Sequence, residues 1–95
     1  MDHLKAMHIF VQVVEKNSFT KAADSLGIAR STVTETVQEL EKKLSVSLMA
    51  RTTRKLNLTP EGDRYYRCCK QIFEALRDVE AEMKDGEPLA SETQL

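Results

Sequence analysis

Apolar residues recur every three or four positions along most of the chain, which is the period of an α-helix. Residues 2–16 place them within a narrow arc of the helix surface and are predicted to form an amphipathic helix. A short second helix is predicted over residues 19–26, with Ser18 as its N-cap and Gly27 in the turn that follows. A third helix is predicted over residues 30–44. A short helix, a glycine turn and a longer helix are the layout of a helix-turn-helix.

The pattern changes over residues 46–58, where apolar residues alternate with polar or small ones. Alternation of this kind is typical of β-strands. Val46 and Leu48 show it before the polar segment 52–55, and residues 56–58 repeat it afterwards. We therefore predict a short two-stranded hairpin with a basic tip.

A fourth helix is predicted to start with Thr59 as N-cap and Pro60 as first helical residue, and to run to about Asp85. Its apolar residues follow the heptad spacing of helices that pair. This face is wider than a domain of about 60 residues can cover, so we predict that part of it meets a second copy of the chain. Packing against the first helix is the competing interpretation, and both can hold on different faces. The predicted dimer-interface residues are Tyr65, Cys69, Ile72, Phe73, Leu76, Val79 and Met83.

The composition indicates one small domain, with or without an extension. The chain has 95 residues, of which 41% are hydrophobic and 31% charged. No apolar run approaches the roughly 18 residues of a membrane span and no signal peptide opens the chain, so we expect a cytoplasmic protein with no membrane partner. Cys68 and Cys69 are adjacent, which excludes a C-x-x-C motif.

The net charge of −1 is unevenly distributed. Residues 1–58 carry nine Lys and Arg against six Asp and Glu, whereas residues 59–95 carry five against nine. The basic part suits a nucleic-acid partner, although ordinary solvated surface explains the same division. Arg51, Arg54 and Lys55 lie close together with no acid between them, which favours nucleic acid.

The outward face of the third helix carries polar side chains that can hydrogen-bond to base edges in the DNA major groove. Phosphates repel a carboxylate such as Glu35, so it is useful there only if it accepts from a cytosine amino group or excludes wrong sequences. An ordinary exposed helix would explain the same face. The candidate base-reading residues are Arg30, Ser31, Thr32, Thr34, Glu35 and Gln38.

The predicted hairpin tip supplies further candidates. Arg54 is suited to a contact with the minor groove or the DNA backbone. Lys55 and Lys21 are candidate phosphate partners, while Arg51 is ambiguous because it can equally anchor its strand to the body of the domain.

No pattern typical of an enzyme or a metal site is present in the sequence. His3 and His8 are five positions apart and lie on different helix faces, so they do not form a metal-binding pair. We find no nucleophile–base pairing, glycine-rich phosphate loop or paired carboxylates in an apolar setting. We expect no enzymatic activity and no cofactor.

Four motifs, taken in order, resemble those of the N-terminal domain of LysR-type transcriptional regulators. They are S-F-T-x-A-A from Ser18, L-E-x-x-L from Leu40, R-T-T-R from Arg51 and L-T-x-x-G from Leu58, within a resemblance that covers about residues 1–85. The resemblance implies a mainly α-helical fold, a winged helix-turn-helix of three helices plus a short β-hairpin wing. A long linker helix that dimerises would follow it.

The family also implies roles for individual residues. The N-terminal half of the third helix would read bases, the wing residue Arg54 would enter the minor groove, and the start of the second helix would contact the DNA backbone. The predicted backbone and wing contacts are Ser18, Thr20, Lys21, Arg51, Thr53, Arg54 and Lys55.

The sequence departs from the family pattern at several positions. Ala29 stands where many members have a capping serine, and Glu35 where a basic residue is frequent. Ser45 replaces a usual glycine, and Met49 a common Phe or Leu. The ligand-sensing domain of the family is absent from this chain, so no inducer is assigned.

Sequence-specific binding of double-stranded DNA by a dimer, on an interrupted inverted repeat within an operator, is the function that these patterns favour. A full-length form could assemble into a tetramer. The alternative is a short interaction protein that pairs through its linker helix with full-length regulators and blocks their assembly. The expected division is a DNA-binding domain over residues 1–58, a dimerisation helix over residues 59–86 and a disordered tail over residues 87–95.

Overall fold

The computed structural model of the chain describes residues 2–51 and 56–85. These residues form four helices and one antiparallel sheet of two strands, which confirms the mainly helical fold predicted from the sequence. In chain order the elements are α1 (His3–Lys16), α2 (Phe19–Leu26), α3 (Arg30–Leu44), β1 (Met49–Arg51), β2 (Leu56–Leu58) and α4 (Pro60–Asp85). Among the described helices, none combines the length with the apolar content that a membrane span needs.

The first two helices begin at residues whose side chains cap them. Asp2 caps α1 by accepting a hydrogen bond from the Lys5 amide at 3.2 Å. Ser18 caps α2, as predicted, by accepting from the Lys21 amide at 3.0 Å. The N-cap of α3 is Ala29, which makes no side-chain hydrogen bond, so α3 begins without a side-chain cap.

Three helices in the described residues end on a residue in the left-handed conformation: Asn17 at φ 53°, Gly27 at φ 70° and Ser45 at φ 58°. Gly27 adopts this backbone without strain, as its predicted place in a tight turn requires. Asparagine tolerates it better than most residues, whereas the Cβ of serine crowds the following carbonyl oxygen. Ser45 is therefore a strained position at the end of α3.

We expect Ser45→Gly to raise the free energy of unfolding by about 0.5–1 kcal/mol, because glycine relieves the left-handed strain at this helix end. Urea denaturation followed by circular dichroism measures the change. Ser31→Gly is the control, since Ser31 lies inside α3, where glycine lowers helix stability. A loss of stability at both positions would show that Ser45 is not strained.

The predicted hairpin is present, but its first strand begins later than the alternating pattern indicates. β1 and β2 pair antiparallel, with Met49 opposite Leu58. Extending the strand back to Val46 is wrong, because the preceding backbone groups have other partners. The Val46 amide bonds to the Glu41 carbonyl and completes the C-terminal turn of α3, and the Leu48 amide donates to the Glu41 side chain.

The core lies between α1, α2 and α3, and Leu48 closes it from the segment before the hairpin. Phe10 from α1 and Leu40 from α3 are among its largest buried side chains. Ala22 and Ala23 of α2 are also buried, and their small size lets α2 approach its neighbours closely. This packing holds α2 against α3 and leaves the opposite side of α3 in solvent.

α4 begins on the body of the domain and then extends beyond it. Thr59 Oγ1 accepts a hydrogen bond from the Gly62 amide at 2.9 Å and donates one to the Ser47 carbonyl at 2.6 Å. This confirms the predicted start at Thr59 and Pro60. Every residue from 74 to 84 is exposed, so the second half of α4 projects away from the core.

Candidate nucleic-acid interface

α3 presents a polar face to solvent because its other face is committed to the core. Val33, Val37 and Leu40 are completely buried on the inner side. The residues on the opposite side, Glu35 and Gln38 among them, are exposed. The amphipathic pattern alone therefore determines which side chains a ligand can reach.

The candidate base-reading residues all lie on α3, and the structure leaves five of the six exposed, while Thr34 is half-buried. In the described part of the chain, no ion pair or side-chain hydrogen bond holds four of the exposed residues. These four are Arg30, Ser31, Glu35 and Gln38. Their donors and acceptors are free for a partner.

The start of α2 carries the first group of predicted backbone contacts. Thr20 and Lys21 are exposed, and Ser18 is partly buried. The Ser18 oxygen accepts from the Lys21 amide, so its own hydroxyl proton remains available for donation. A helix N-terminus also favours an anion, and the three residues therefore suit a phosphate group.

The predicted contacts at the hairpin tip fall mainly outside the described residues. Thr53, Arg54 and Lys55 lie outside the described residues, and only the backbone of Arg51 is described, as the last residue of β1. The DNA contacts predicted for these four residues stay predictions. Arg51 pairs with Leu56, and these two residues flank segment 52–55 in the sequence.

Glu41 joins α3 to the hairpin, a role that the sequence analysis missed. Its Oε2 accepts hydrogen bonds from the Leu48 amide at 2.8 Å and the Met49 amide at 3.2 Å. One carboxylate on α3 thus holds the backbone where the chain enters β1. The acid of the L-E-x-x-L motif was the available signal, but its partners lie seven and eight positions away.

We expect Glu41→Ala to lower the free energy of unfolding by about 2 kcal/mol, because two partly buried amides lose a charged acceptor. Glu41→Gln keeps one acceptor oxygen and should lose less than half of this. Glu39→Ala removes an exposed acid from the same helix and is the control. Equal losses for Glu41→Ala and Glu39→Ala in urea denaturation would rule out the anchoring role.

The apolar residues of α4 divide between two surfaces. Cys69 is completely buried against Met7 and Val11 of α1. Tyr65 and Phe73 pack around this cluster. The other predicted interface residues are 42–70% exposed, and they are Ile72, Leu76, Val79 and Met83. Packing against α1 thus occupies the first half of this heptad pattern, and the exposed apolar row continues it along the second half of the helix.

Cys69 is a correction to the predicted dimer interface, because no part of its surface is left for a second chain. Burial raises the pKa of its thiol to about 11, so the thiol stays protonated at neutral pH. Tyr65 is also engaged within the chain, since its hydroxyl lies 3.2 Å from His3 Nε2. Burial raises the pKa of Tyr65 to about 12.

A polar contact between α1 and α4 also escaped the sequence analysis. Lys70 Nζ lies 2.8 Å from Glu15 Oε2, and the Tyr66 hydroxyl donates to the same oxygen at 3.0 Å. The hydrogen bond from Lys70 lowers the pKa of Glu15. The partners are 55 and 51 positions apart, so no local pattern could have revealed them.

An apolar groove of about 350 Å³ lies between the end of α3, the segment before the hairpin and the start of α4. Cys68, on its rim, precedes Ile72 by one helical turn, so the groove continues the exposed apolar row of α4. Its apolar lining residues are Leu44, Val46, Leu48, Tyr65 and Cys68.

Among the described residues, no group of three His, Cys, Asp or Glu could hold a metal ion.

Over residues 4–63 the chain matches the family described as bacterial regulatory helix-turn-helix protein, lysR family. It is 44% identical over 86 residues to the HTH-type transcriptional repressor PA14_22550 of Pseudomonas aeruginosa, a match that covers 90% of this chain and 27% of that protein. It is 48% identical over 75 residues to the HTH-type transcriptional regulator CrgA of Neisseria meningitidis, covering 79% of this chain and 25% of that protein. The chain spans about a quarter of the length of these curated relatives.

Among solved structures, the fold is similar to that of BenM_DBD in its complex with catB site 1 DNA. The TM-score is 0.82 at 35% sequence identity, and the match covers 90% of this chain and 93% of that chain. These similarities point to the DNA-binding domain of a transcription regulator rather than to a family of enzymes.

Proposed function

The chain belongs to the LysR family of bacterial regulatory helix-turn-helix proteins, and from this premise we propose that it binds double-stranded DNA sequence-specifically as a dimer. Its helix-turn-helix is a LysR-type DNA-binding domain. The proposed target is an interrupted inverted repeat within an operator, and the proposed role is that of the DNA-binding module of a transcriptional regulator. Such a role would place the protein in the cytoplasm, where bacterial DNA lies.

The observation that carries this proposal is the unpartnered polar face of α3. The major groove is about 12 Å wide and admits one α-helix. Ser31 and Gln38 offer both donors and acceptors to base edges, and Arg30 at the start of α3 can donate two hydrogen bonds to guanine. The first turn of α2, with Thr20 and Lys21 exposed, supports the proposal by offering contacts to phosphate.

We assign the wing contact to Arg54, and expect Arg54→Ala to weaken binding to all DNA sequences alike. The slope of log affinity against log salt concentration should fall by about one unit, because one cation no longer displaces a counterion. Fluorescence anisotropy titrations at several salt concentrations measure the slope. Lys84→Ala is the control, because it also removes one cation, but from the last turn of α4, which projects away from the core. An unchanged slope and affinity for Arg54→Ala would remove Arg54 from the interface.

The exposed row on α4 supports the proposed homodimer. Ile72, Leu76, Val79 and Met83 expose apolar surface at heptad spacing, and the apolar groove extends this surface towards α3. A second copy of α4 would cover it. Two linked copies would read two half-sites about 34 Å apart, one turn of the DNA helix. In a longer chain, two such dimers could form a tetramer.

Selection of bound sites from a random duplex pool, at about 50 mM and about 200 mM salt, tests the proposed function. We expect an interrupted inverted repeat that survives the higher salt. Binding that disappears with salt and enriches no sequence would contradict the proposal. The short interaction protein that pairs with full-length regulators would then be favoured, since the exposed row on α4 would be the remaining functional surface.

A further inference from the structure

We propose that Glu35 makes this domain select a cytosine in each half-site, by accepting a hydrogen bond from the cytosine amino group. This inference rests on the proposed function, because it requires α3 to lie in the major groove. It adds the identity of one base and the residue that reads it.

Glu35 occupies the middle of the outward face of α3. It follows Ser31 by four positions and precedes Gln38 by three, so all three lie on the side opposite the buried stripe. Its side chain is exposed at a shallow groove on this surface that Gln38, Glu39 and Lys42 also line. A helix entering the major groove with this face would bring the Glu35 carboxylate to the base edges.

No basic side chain lies within one helical turn of Glu35 on α3. Its neighbours three and four positions away are Ser31, Thr32, Gln38 and Glu39, none of which is basic. Among the residues that the structure describes, no ion pair joins the Glu35 carboxylate to another side chain. The carboxylate would therefore meet the DNA without a paired cation, and phosphates would repel it at every sequence.

Only one base offsets this repulsion with a matching edge in the major groove. Cytosine presents its amino donor there and no acceptor of its own, whereas guanine presents N7 and O6 and thymine presents O4 as acceptors. Adenine has an amino donor, but its N7 acceptor lies beside it and repels a carboxylate. A carboxylate that can only accept therefore favours cytosine over the other three bases.

Glu39 provides a matched control, because it carries the same charge at the edge of this face. It lies between the groove at Glu35 and a second groove beside the N-terminus of α1, which Asp2, Lys5 and Thr36 also line. Removing its charge should strengthen binding to all sequences to a similar degree, through weaker repulsion of phosphate, without changing which base is preferred.

The test is selection from a random duplex pool with the 95-residue chain, Glu35→Gln and Glu39→Gln. For the unchanged chain we expect one position of each half-site to prefer cytosine by about tenfold. Glu35→Gln should shift that position to adenine, because a glutamine amide bonds to both N6 and N7 of adenine. Glu39→Gln should keep the cytosine.

Each other outcome contradicts the inference in a distinguishable way. If the unchanged chain enriches an inverted repeat and Glu35→Gln enriches the same bases at every position, Glu35 does not read a base, while the proposed function stands. If Glu39→Gln changes the preference as Glu35→Gln does, net charge rather than position controls selection. If the unchanged chain enriches nothing, the proposed function fails and this inference fails with it.

Discussion

Gly62→Ala is expected to lower the free energy of unfolding by about 3 kcal/mol, the largest loss among the single substitutions considered. A Cβ at this position would overlap the carbonyl oxygen of Leu48 and lie 2.8 Å from its carbonyl carbon. The obstacle is backbone, so no side-chain rotation can relieve it. The midpoint of thermal unfolding should fall by more than about 10 °C.

The backbone at Leu48 cannot easily move away, because it is bonded on both sides. Its carbonyl accepts from the Thr59 amide at 3.1 Å and its amide donates to Glu41 at 2.8 Å. The glycine of the L-T-x-x-G motif is thus the point where the first turn of α4 meets the segment leading into the wing. A larger residue there would displace the wing from α3.

Gly27→Ala is the matched control for this experiment. Gly27 has a positive φ of 70° but open space where a Cβ would lie, so its substitution tests backbone strain without a clash. We expect it to cost about 1 kcal/mol. Urea denaturation of the unchanged chain, Gly62→Ala and Gly27→Ala compares the two losses in the free energy of unfolding. A loss at Gly62 no greater than that at Gly27 would contradict the close approach between α4 and Leu48.

Leu76→Asp is expected to convert the proposed dimer to a monomer at micromolar concentration. Leu76 is 47% exposed in the single chain, in the middle of the apolar row, so a second α4 would bury it. A carboxylate there would have to lose its hydration without a partner, once in each chain of the dimer. The monomer should keep its fold because this part of α4 does not pack on the core.

Sedimentation equilibrium measures the change, and circular dichroism checks the fold. Ala81→Asp adds the same charge to an exposed position on the side of α4 opposite the apolar row, and should leave the dimer intact. DNA affinity should fall for Leu76→Asp alone, since a monomer binds one half-site. A full dimer for Leu76→Asp would place the interface elsewhere.

Local signals explain why most of the fold could be predicted from the sequence. Ser18, Gly27 and Thr59 act within three or four residues of themselves, as caps or as a turn, so their effects are visible in the sequence around them. The face of α3 follows in the same way from the spacing of its apolar residues. Each of these predictions depended on one segment at a time.

Contacts between distant segments explain what could not be predicted. The true start of β1 depends on Glu41, which bonds to amides seven and eight positions later. Cys69 and Leu76 share one heptad pattern, yet α1 covers the first and leaves the second exposed. Periodicity shows that a helix face is apolar but not which chain covers it.

Methylation interference on the selected duplex tests the central claim most directly, because guanine N7 lies in the major groove. If two copies of α3 read the DNA, methylated guanines should block binding in two patches, about one helical turn apart and related by the symmetry of the repeat. Arg30→Ala should relieve the block at the guanine that it contacts. Binding that tolerates methylation at every guanine N7 would contradict major-groove reading by α3.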